Sequence, residues 1–179
     1  WVVRNALNML AQRAVWQPGD VFAINLSGQT LGDEEFLEFV SAELESSGVD
    51  ARHVCFEITE TAAVANLRSA QHFIHTLRRH GCAFALDDFG SGLSSFAYLK
   101  RLPVDYLKID GRFVKDIVTD AMDHAMVEAI NQLGHIVGVR TIAEFVENDA
   151  ILERLQQLGV DYAQGFGVHK PEPLERFIM

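Results

Sequence analysis

Cysteine is scarce in this sequence. Its 179 residues include two, Cys55 and Cys82, both inside apolar runs. That excludes a disulfide-stapled scaffold and any zinc module built on cysteine pairs. The two thiols read as reduced core side chains, a usage that fits a reducing cytoplasm. Positive charge is also short: 15 Lys and Arg stand against 25 Asp and Glu, for a net charge of −10. A non-specific grip on a nucleic acid polymer needs a basic surface and is therefore not expected. No apolar run approaches the ~20 residues that cross a bilayer, and no basic-then-apolar leader opens the sequence. The first residue is Trp1, not Met. The chain is thus expected to be part of something longer, whose upstream region could hold a sensor or a membrane anchor. No phosphate-binding Gly-rich loop with its lysine is present, and no GxSxG nucleophile turn. The seven histidines are scattered without metal-ligand spacing and read as solvated or core side chains.

What is present is an alternation of strands and helices. Val2 to Trp16 has helical apolar spacing, and Val21 to Leu26 is strand-like. Asp33 caps a helix to about Ser47, with Phe36, Phe39, Val40 and Leu44 on one face. His53 to Thr59 is a strand, Ala62 to His80 one long helix, and Ala83 to Asp88 a strand. A loop at Gly90 to Gly92 precedes a short helix near Ser94 to Lys100, and Tyr106 to Asp110 is the next strand. Asp120 to Val137 is helical and Val139 to Glu144 a strand. Asp149 to Leu158 is helical, Val160 to Gln164 is the last strand, and a helix begins near Pro173. Six strands each followed by a helix predict an α/β domain with a parallel sheet. Two architectures suit that pattern: an open doubly wound sheet, and a closed (β/α)8 barrel of which about six units are visible. No linker or composition shift divides the chain, so residues 1–179 are expected to form a single domain.

The polar residues fall at a telling place. A buried parallel strand should be apolar throughout, because an unpaired buried charge is costly. Yet each predicted strand ends on a polar or ionisable residue: Asn25, Glu57, the pair Asp87 and Asp88, Lys108, Glu144 and Gln164, with Glu60 just past the second strand. Ligand sites of α/β proteins form at these C-terminal strand ends. Clustered carboxylates need a counter-charge to stay ionised, and hard oxygen donors suit Mg²⁺ or Mn²⁺. Adjacent aspartates could serve two ions about 3.5–4 Å apart, the arrangement of two-metal phosphodiester hydrolysis. A lysine at the rim could stabilise phosphate charge or orient water. Taken singly, a strand-end carboxylate is more often a helix cap or a surface ion pair. Asp110, ahead of Gly111, is expected to be a cap, and Glu60 could brace a loop. The coincidence of six strand ends carries the functional reading.

At these residues the sequence resembles the EAL family. The segments are INLSGQ (Ile24 to Gln29), FEITET (Phe56 to Thr61), LDDFGSG (Leu86 to Gly92), LKID (Leu107 to Asp110), AEFVEN (Ala143 to Asn148) and YAQGFGVHKPEPL (Tyr162 to Leu174). Their order and spacing fit the family along essentially the whole chain. The resemblance implies a TIM-like (β/α)8 barrel and hydrolysis of cyclic di-GMP to linear pGpG with two Mg²⁺ or Mn²⁺ ions. By the same resemblance, Asn25, Glu57 and Asp87 would bind the first ion. Asp87 would bridge to the second, served by Asp88 and Glu144. Lys108 would hold the attacking water, Gln164 would position water or phosphate, and Glu60 would brace the loop after Asp88. Homodimers, with the helix from Ser94 contributing, and neighbouring GGDEF or sensory domains are further implications, as is a cytoplasmic setting for the domain.

Two departures stand out. The Glu-Ala-Leu motif is not in these residues, so the domain is expected to be incomplete at its N-terminal side, lacking two strands and one metal ligand. Phe145 stands where many members have glycine. An active phosphodiesterase is the first expectation, and a non-catalytic cyclic di-GMP receptor is the alternative.

Overall fold

The structure, a computed structural model, describes residues 1–13, 15–17, 19–92, 96–173 and 176. Six strands form one parallel sheet: β1 (Phe22–Asn25), β2 (Val54–Thr59), β3 (Ala83–Phe89), β4 (Tyr106–Ile109), β5 (Arg140–Ala143) and β6 (Tyr162–Ala163). The helices are α1 (Val2–Leu10), α2 (Glu34–Ser47), α3 (Glu60–Ala65), α4 (Leu67–His80), α5 (Gly111–Val114), α6 (Ala121–Val137) and α7 (Asp149–Leu158), with short 3₁₀ turns between some of them. Strand order in the sheet is the order in the chain, β1-β2-β3-β4-β5-β6. A doubly wound sheet reverses its order at a switch point. None occurs here, so the winding is that of a TIM-like barrel, of which these six strands make a parallel half-barrel.

Two apolar layers flank the sheet. The main core lies between its outer face and the helices, with Phe56, Phe84, Leu86, Leu107 and Ile109 meeting Leu37, Val40, Phe73, Leu77, Val127 and Ile130. The inner face carries a smaller cluster of Cys55, Ala85 and Tyr106, against which Ala83 and Ile142 pack. Both cysteines are free and buried. Burial pushes the Cys82 thiol up to about 12, and burial raises that of Cys55 as well, so neither is a reactive thiolate at neutral pH.

Three predicted helices come out differently. The first ends at Leu10, short of Trp16, because tertiary contacts recruit the residues that follow. Trp16 stacks on His53 with ring centroids 4.1 Å apart and meets Phe22 edge-on, while Arg13 reaches Asp20 at 2.6 Å and lies over the Trp16 ring. Ala14 lies outside the described residues. The long helix expected from Ala62 is two helices broken at Asn66 (φ −138°, ψ 62°), a residue type that leaves helical geometry readily. The first of them starts early, at Glu60, because the Thr59 hydroxyl accepts from Ala62 N. The short helix after Gly92 is a 3₁₀ segment, Phe96–Arg101; Ser94 lies outside the described residues. Of the helix predicted near Pro173, Leu174 and Glu175 likewise lie outside them. On α2 the buried stripe is Leu37, Val40 and Leu44, with Phe36 and Phe39 at its margins. Among the described residues, no helix is long and apolar enough to cross a membrane.

Candidate functional site

Strand alternation builds the site. Side chains two apart share a face of a sheet. The inner-face residues Ala23, Cys55, Ala85, Tyr106, Ile142 and Tyr162, with Glu57 and Gln164, line one cavity on the concave side of the sheet. Two residues further toward each C-terminal strand end lie Asn25, Glu57, Asp87, Lys108, Glu144 and Gln164, the upper layer of the same inward face. Parallel pairing brings these ends to one side of the sheet with a stagger: Asn25 lies opposite Glu57, but Asp87 lies opposite Thr59, two residues past Glu57, and Lys108 lies opposite Ile142, two residues before Glu144. One rim thus gathers the predicted set.

Asp88 breaks the alternation. In a regular strand it would face away from Asp87. Between β3 and β4, however, Leu86 pairs with Leu107 and Phe89 with Ile109, so β3 spends three residues where β4 spends two. This irregularity has the effect of a bulge, which re-aims a side chain. Asp88 itself adopts φ 54°, in the left-handed region. Oxygens of Asp87, Asp88 and Glu144 consequently lie within 4.8 Å of one another. Sequence alone makes the two aspartates neighbours at a strand end and does not say how both point to one place. A signal exists all the same, since adjacent acids followed by Gly90 cannot share a face unless the strand is broken between them.

Lys108 sits among the carboxylates. Its Nζ is 2.9 Å from Glu57 Oε2, 2.8 Å from Asp87 Oδ1 and 2.9 Å from Glu144 Oε1. The residue is 2% exposed. Burial works against its charged form, but the charge of Glu57 and the close approach of Asp87, Glu57 and Glu144 outweigh it and hold the ammonium above the ordinary lysine range. Burial raises Glu144, partly offset by Lys108, and burial followed by the neighbouring Asp87 raises Asp88. One ammonium is thus shared among several acids, and the local charge is short of cations. Asp87 Oδ1 shows the deficit directly. It is buried and close to the ammonium, yet has no hydrogen bond of good geometry. A buried, incompletely satisfied oxygen within a cluster of three hard donors fits a divalent cation.

Glu60 stands one step back. It is 1% exposed, its Oε2 accepts from Gly90 N at 2.9 Å, and its Oε1 accepts from the Tyr98 hydroxyl at 2.6 Å. The carboxylate thereby ties the turn after Asp88 to the 3₁₀ segment. Gly90 is confined there: its φ is 91°, and an added Cβ would press on Ile130 and Phe113. Asp110 caps α5 by accepting from Arg112 N at 2.9 Å and also pairs with the Arg112 guanidinium. Gln164 joins β5 through its backbone, donating to Ala143 O at 2.8 Å. It lines the concave cavity with Glu57 and a second one with Glu144. Asn25 is exposed at the end of β1. Two features escape the sequence: Tyr98, which lies beyond the quoted motifs, and the conformation of Phe145, a backbone property that no side-chain pattern carries.

Comparison with known proteins puts this site in context. The EAL domain family profile matches residues 1–171. The cyclic di-GMP phosphodiesterase PdeB of Shewanella oneidensis is 44% identical over 177 residues, covering 98% of this chain and 21% of the relative. The chain therefore spans about a fifth of that protein. Among solved structures, the phosphodiesterase MucR of Pseudomonas aeruginosa in complex with c-di-GMP superposes with a TM-score of 0.89 at 32% identity, covering 98% of this chain and 72% of that one. The Klebsiella pneumoniae BlrP1 complex with manganese and c-di-GMP gives a TM-score of 0.81 at 28% identity, over 91% of this chain and 41% of that one.

Proposed function

The chain belongs to the EAL domain family, and we propose that its strand-end site hydrolyses cyclic di-GMP to linear pGpG with the help of two divalent cations, Mg²⁺ or Mn²⁺. One observation carries the reading: Asp87, Asp88 and Glu144 bring oxygens within 4.8 Å of one another, and the buried Asp87 Oδ1 among them meets the Lys108 ammonium at 2.8 Å without hydrogen-bond geometry. The named activity of PdeB and the manganese and c-di-GMP bound by BlrP1 support it.

The residues divide the work as follows. Asn25, Glu57 and Asp87 would hold the first cation, and Asp87, Asp88 and Glu144 would hold the second. Bound cations supply the charge that activates a water and holds the phosphate. To give pGpG, a water oxygen must join phosphorus while one bond to a 3′ oxygen breaks, and that oxygen leaves with a proton. Lys108, kept charged by its three carboxylates, orients the attacking water. Gln164 positions water or phosphate from the neighbouring strand end. Glu60 holds the turn after Asp88 through Gly90 N. A cytoplasmic setting, homodimerisation and a GGDEF or sensory neighbour in the whole protein belong to the same proposal.

The test is turnover of cyclic di-GMP by the full-length protein, followed by chromatography, with Mg²⁺ or Mn²⁺ and with chelator. Production of pGpG only with metal is the expected result. Tight binding without turnover would assign the protein to the receptors instead.

A further inference from the structure

Arg112 is held in a way that fold stability does not explain. It is the second residue of α5, and its side chain is 65% exposed. Asp110, with a nearly buried side chain, accepts from Arg112 N at 2.9 Å and, through Oδ2, from Nε at 2.9 Å and Nη2 at 2.8 Å. An exposed ion pair adds little to stability, and the cap on α5 needs only the backbone N–H. What the clamp fixes is direction. A guanidinium carries five N–H donors in one plane. Asp110 takes the edge formed by Nε and Nη2, which leaves the outer edge, with donors on Nη1 and Nη2, without a partner among the described residues. Arg112 lines a cavity of about 480 Å³ together with Asp88, Asp110, Lys115, Phe145 and Glu147. The Phe145 ring lies on Gly111, the residue before Arg112, and gives that cavity an apolar wall.

Two kinds of group could meet a fixed pair of donors: a phosphate, or the paired acceptors on one edge of a purine. The charges decide between them. Three acids, Asp88, Asp110 and Glu147, outnumber the two bases, Arg112 and Lys115, around the cavity. Asp110 already neutralises the guanidinium. A further anion would meet net repulsion there, and a neutral acceptor pair would not. Guanine offers such a pair in O6 and N7, and arginine donating to both is the commonest base-specific contact; adenine puts a donor where guanine has O6. We infer that Arg112 is a specificity-determining residue of this site, donating from its outer edge to O6 and N7 of one guanine of the cyclic dinucleotide. This role rests on the phosphodiesterase reading for its substrate, but it concerns selection of the base and not bond cleavage. Arg112 supplies no ligand to a cation, so its loss weakens binding and leaves the chemistry in place.

The experiment compares wild type, Arg112→Ala and Arg112→Lys in the full-length protein. Each is given cyclic di-GMP and its 7-deaza analogue, in which C–H replaces N7 of both guanines. KM and kcat are measured with Mn²⁺, Kd by calorimetry with Ca²⁺, and the thermal midpoint in chelator. Arg112→Ala is expected to raise KM and Kd for cyclic di-GMP about tenfold, with kcat within about twofold of wild type. Arg112→Lys keeps the charge but not the fork and is expected to recover little of the loss. Removing N7 is expected to cost wild type about threefold more than it costs Arg112→Ala. Any loss at the second guanine is common to both proteins and cancels. Both variants keep the backbone donor that Asp110 caps, so their midpoints are expected within about 2 °C of wild type. Unchanged KM and Kd in Arg112→Ala would overturn the assignment. So would a loss that is the same for both ligands, or one fully restored by Arg112→Lys, since either means a contact to phosphate through charge. A fall in kcat with a lowered midpoint would make Arg112 a support for Asp110 and overturn it as well. The two readings fail separately. If wild type binds without turnover and Kd shows the N7-dependent loss, the base contact stands and the phosphodiesterase does not. If wild type turns over and N7 makes no difference between the proteins, the reverse holds. If wild type neither binds nor turns over the dinucleotide, both are wrong.

Discussion

Lys108 shows most sharply how a single residue is constrained here. Three carboxylates within 2.9 Å make it, among the described residues, the internal counter-charge of this cluster. Removing one partner of a buried ion pair typically costs about 3–5 kcal/mol, because the other charge is left uncompensated. Lys108→Met is therefore expected to lower the thermal midpoint markedly in chelator, and added Mn²⁺ is expected to recover much of the loss as the cation takes over neutralisation. Thermal melts with and without metal check this. That Lys108, Glu144 and Asp87 form a strand-end group was legible in the sequence, because a buried apolar strand rarely carries an ionisable residue that does no work there. Their mutual pairing was not. Glu57 and Lys108 are 51 positions apart, and no local pattern tells which strand ends become neighbours.

Among the elements, the turn after β3 is held from two sides. Glu60 grips Gly90 N and the Tyr98 hydroxyl, while Phe96 stacks on Phe89 with centroids 5.3 Å apart. Tyr98→Phe leaves one oxygen of a buried carboxylate unpaired, for which a loss of about 1–3 kcal/mol is expected in denaturant unfolding. A variant as stable as wild type would mean that water replaces the hydroxyl. At the opposite ends of the strands, Asp161 joins β5 to the α7–β6 connection. It accepts from Thr141 N at 2.8 Å and pairs with His135 at 2.9 Å. Burial pulls its carboxyl upward, but the Thr141 and His135 hydrogen bonds prevail and hold it below the usual range. A folded value below the unfolded one adds stability above the ordinary carboxylate range, and that stability is lost as pH falls through the folded value. Asp161→Asn is accordingly expected to reduce stability near neutrality and to flatten its decline in acid, as read from midpoints measured between neutral and acidic pH. Element types were mostly visible in advance, since apolar period and capping residues are local signals. The misplaced boundaries at Leu10 and Asn66 belong to tertiary contacts and to one residue's backbone, which such signals do not carry. The bulge at Asp88 was marked only indirectly, by adjacent acids ahead of Gly90, although it decides whether two aspartates can face one place.

For the molecule as a whole, sequence alternation left an open sheet and a barrel both standing. The unreversed strand order decided for the half-barrel, and that winding is what brings six strand ends to a common rim. If the rim is a cation-dependent phosphodiesterase site bridged by Asp87, its activity must vanish with that one carboxylate while the fold persists. The decisive experiment is Mn²⁺-dependent conversion of cyclic di-GMP to pGpG by the full-length protein and its Asp87→Asn variant, measured beside their thermal midpoints in chelator. Metal-dependent turnover is expected in wild type, and none detectable in a variant that still melts cooperatively. Turnover by Asp87→Asn at the wild-type rate would contradict a bridging role for Asp87 and, with it, the two-cation site.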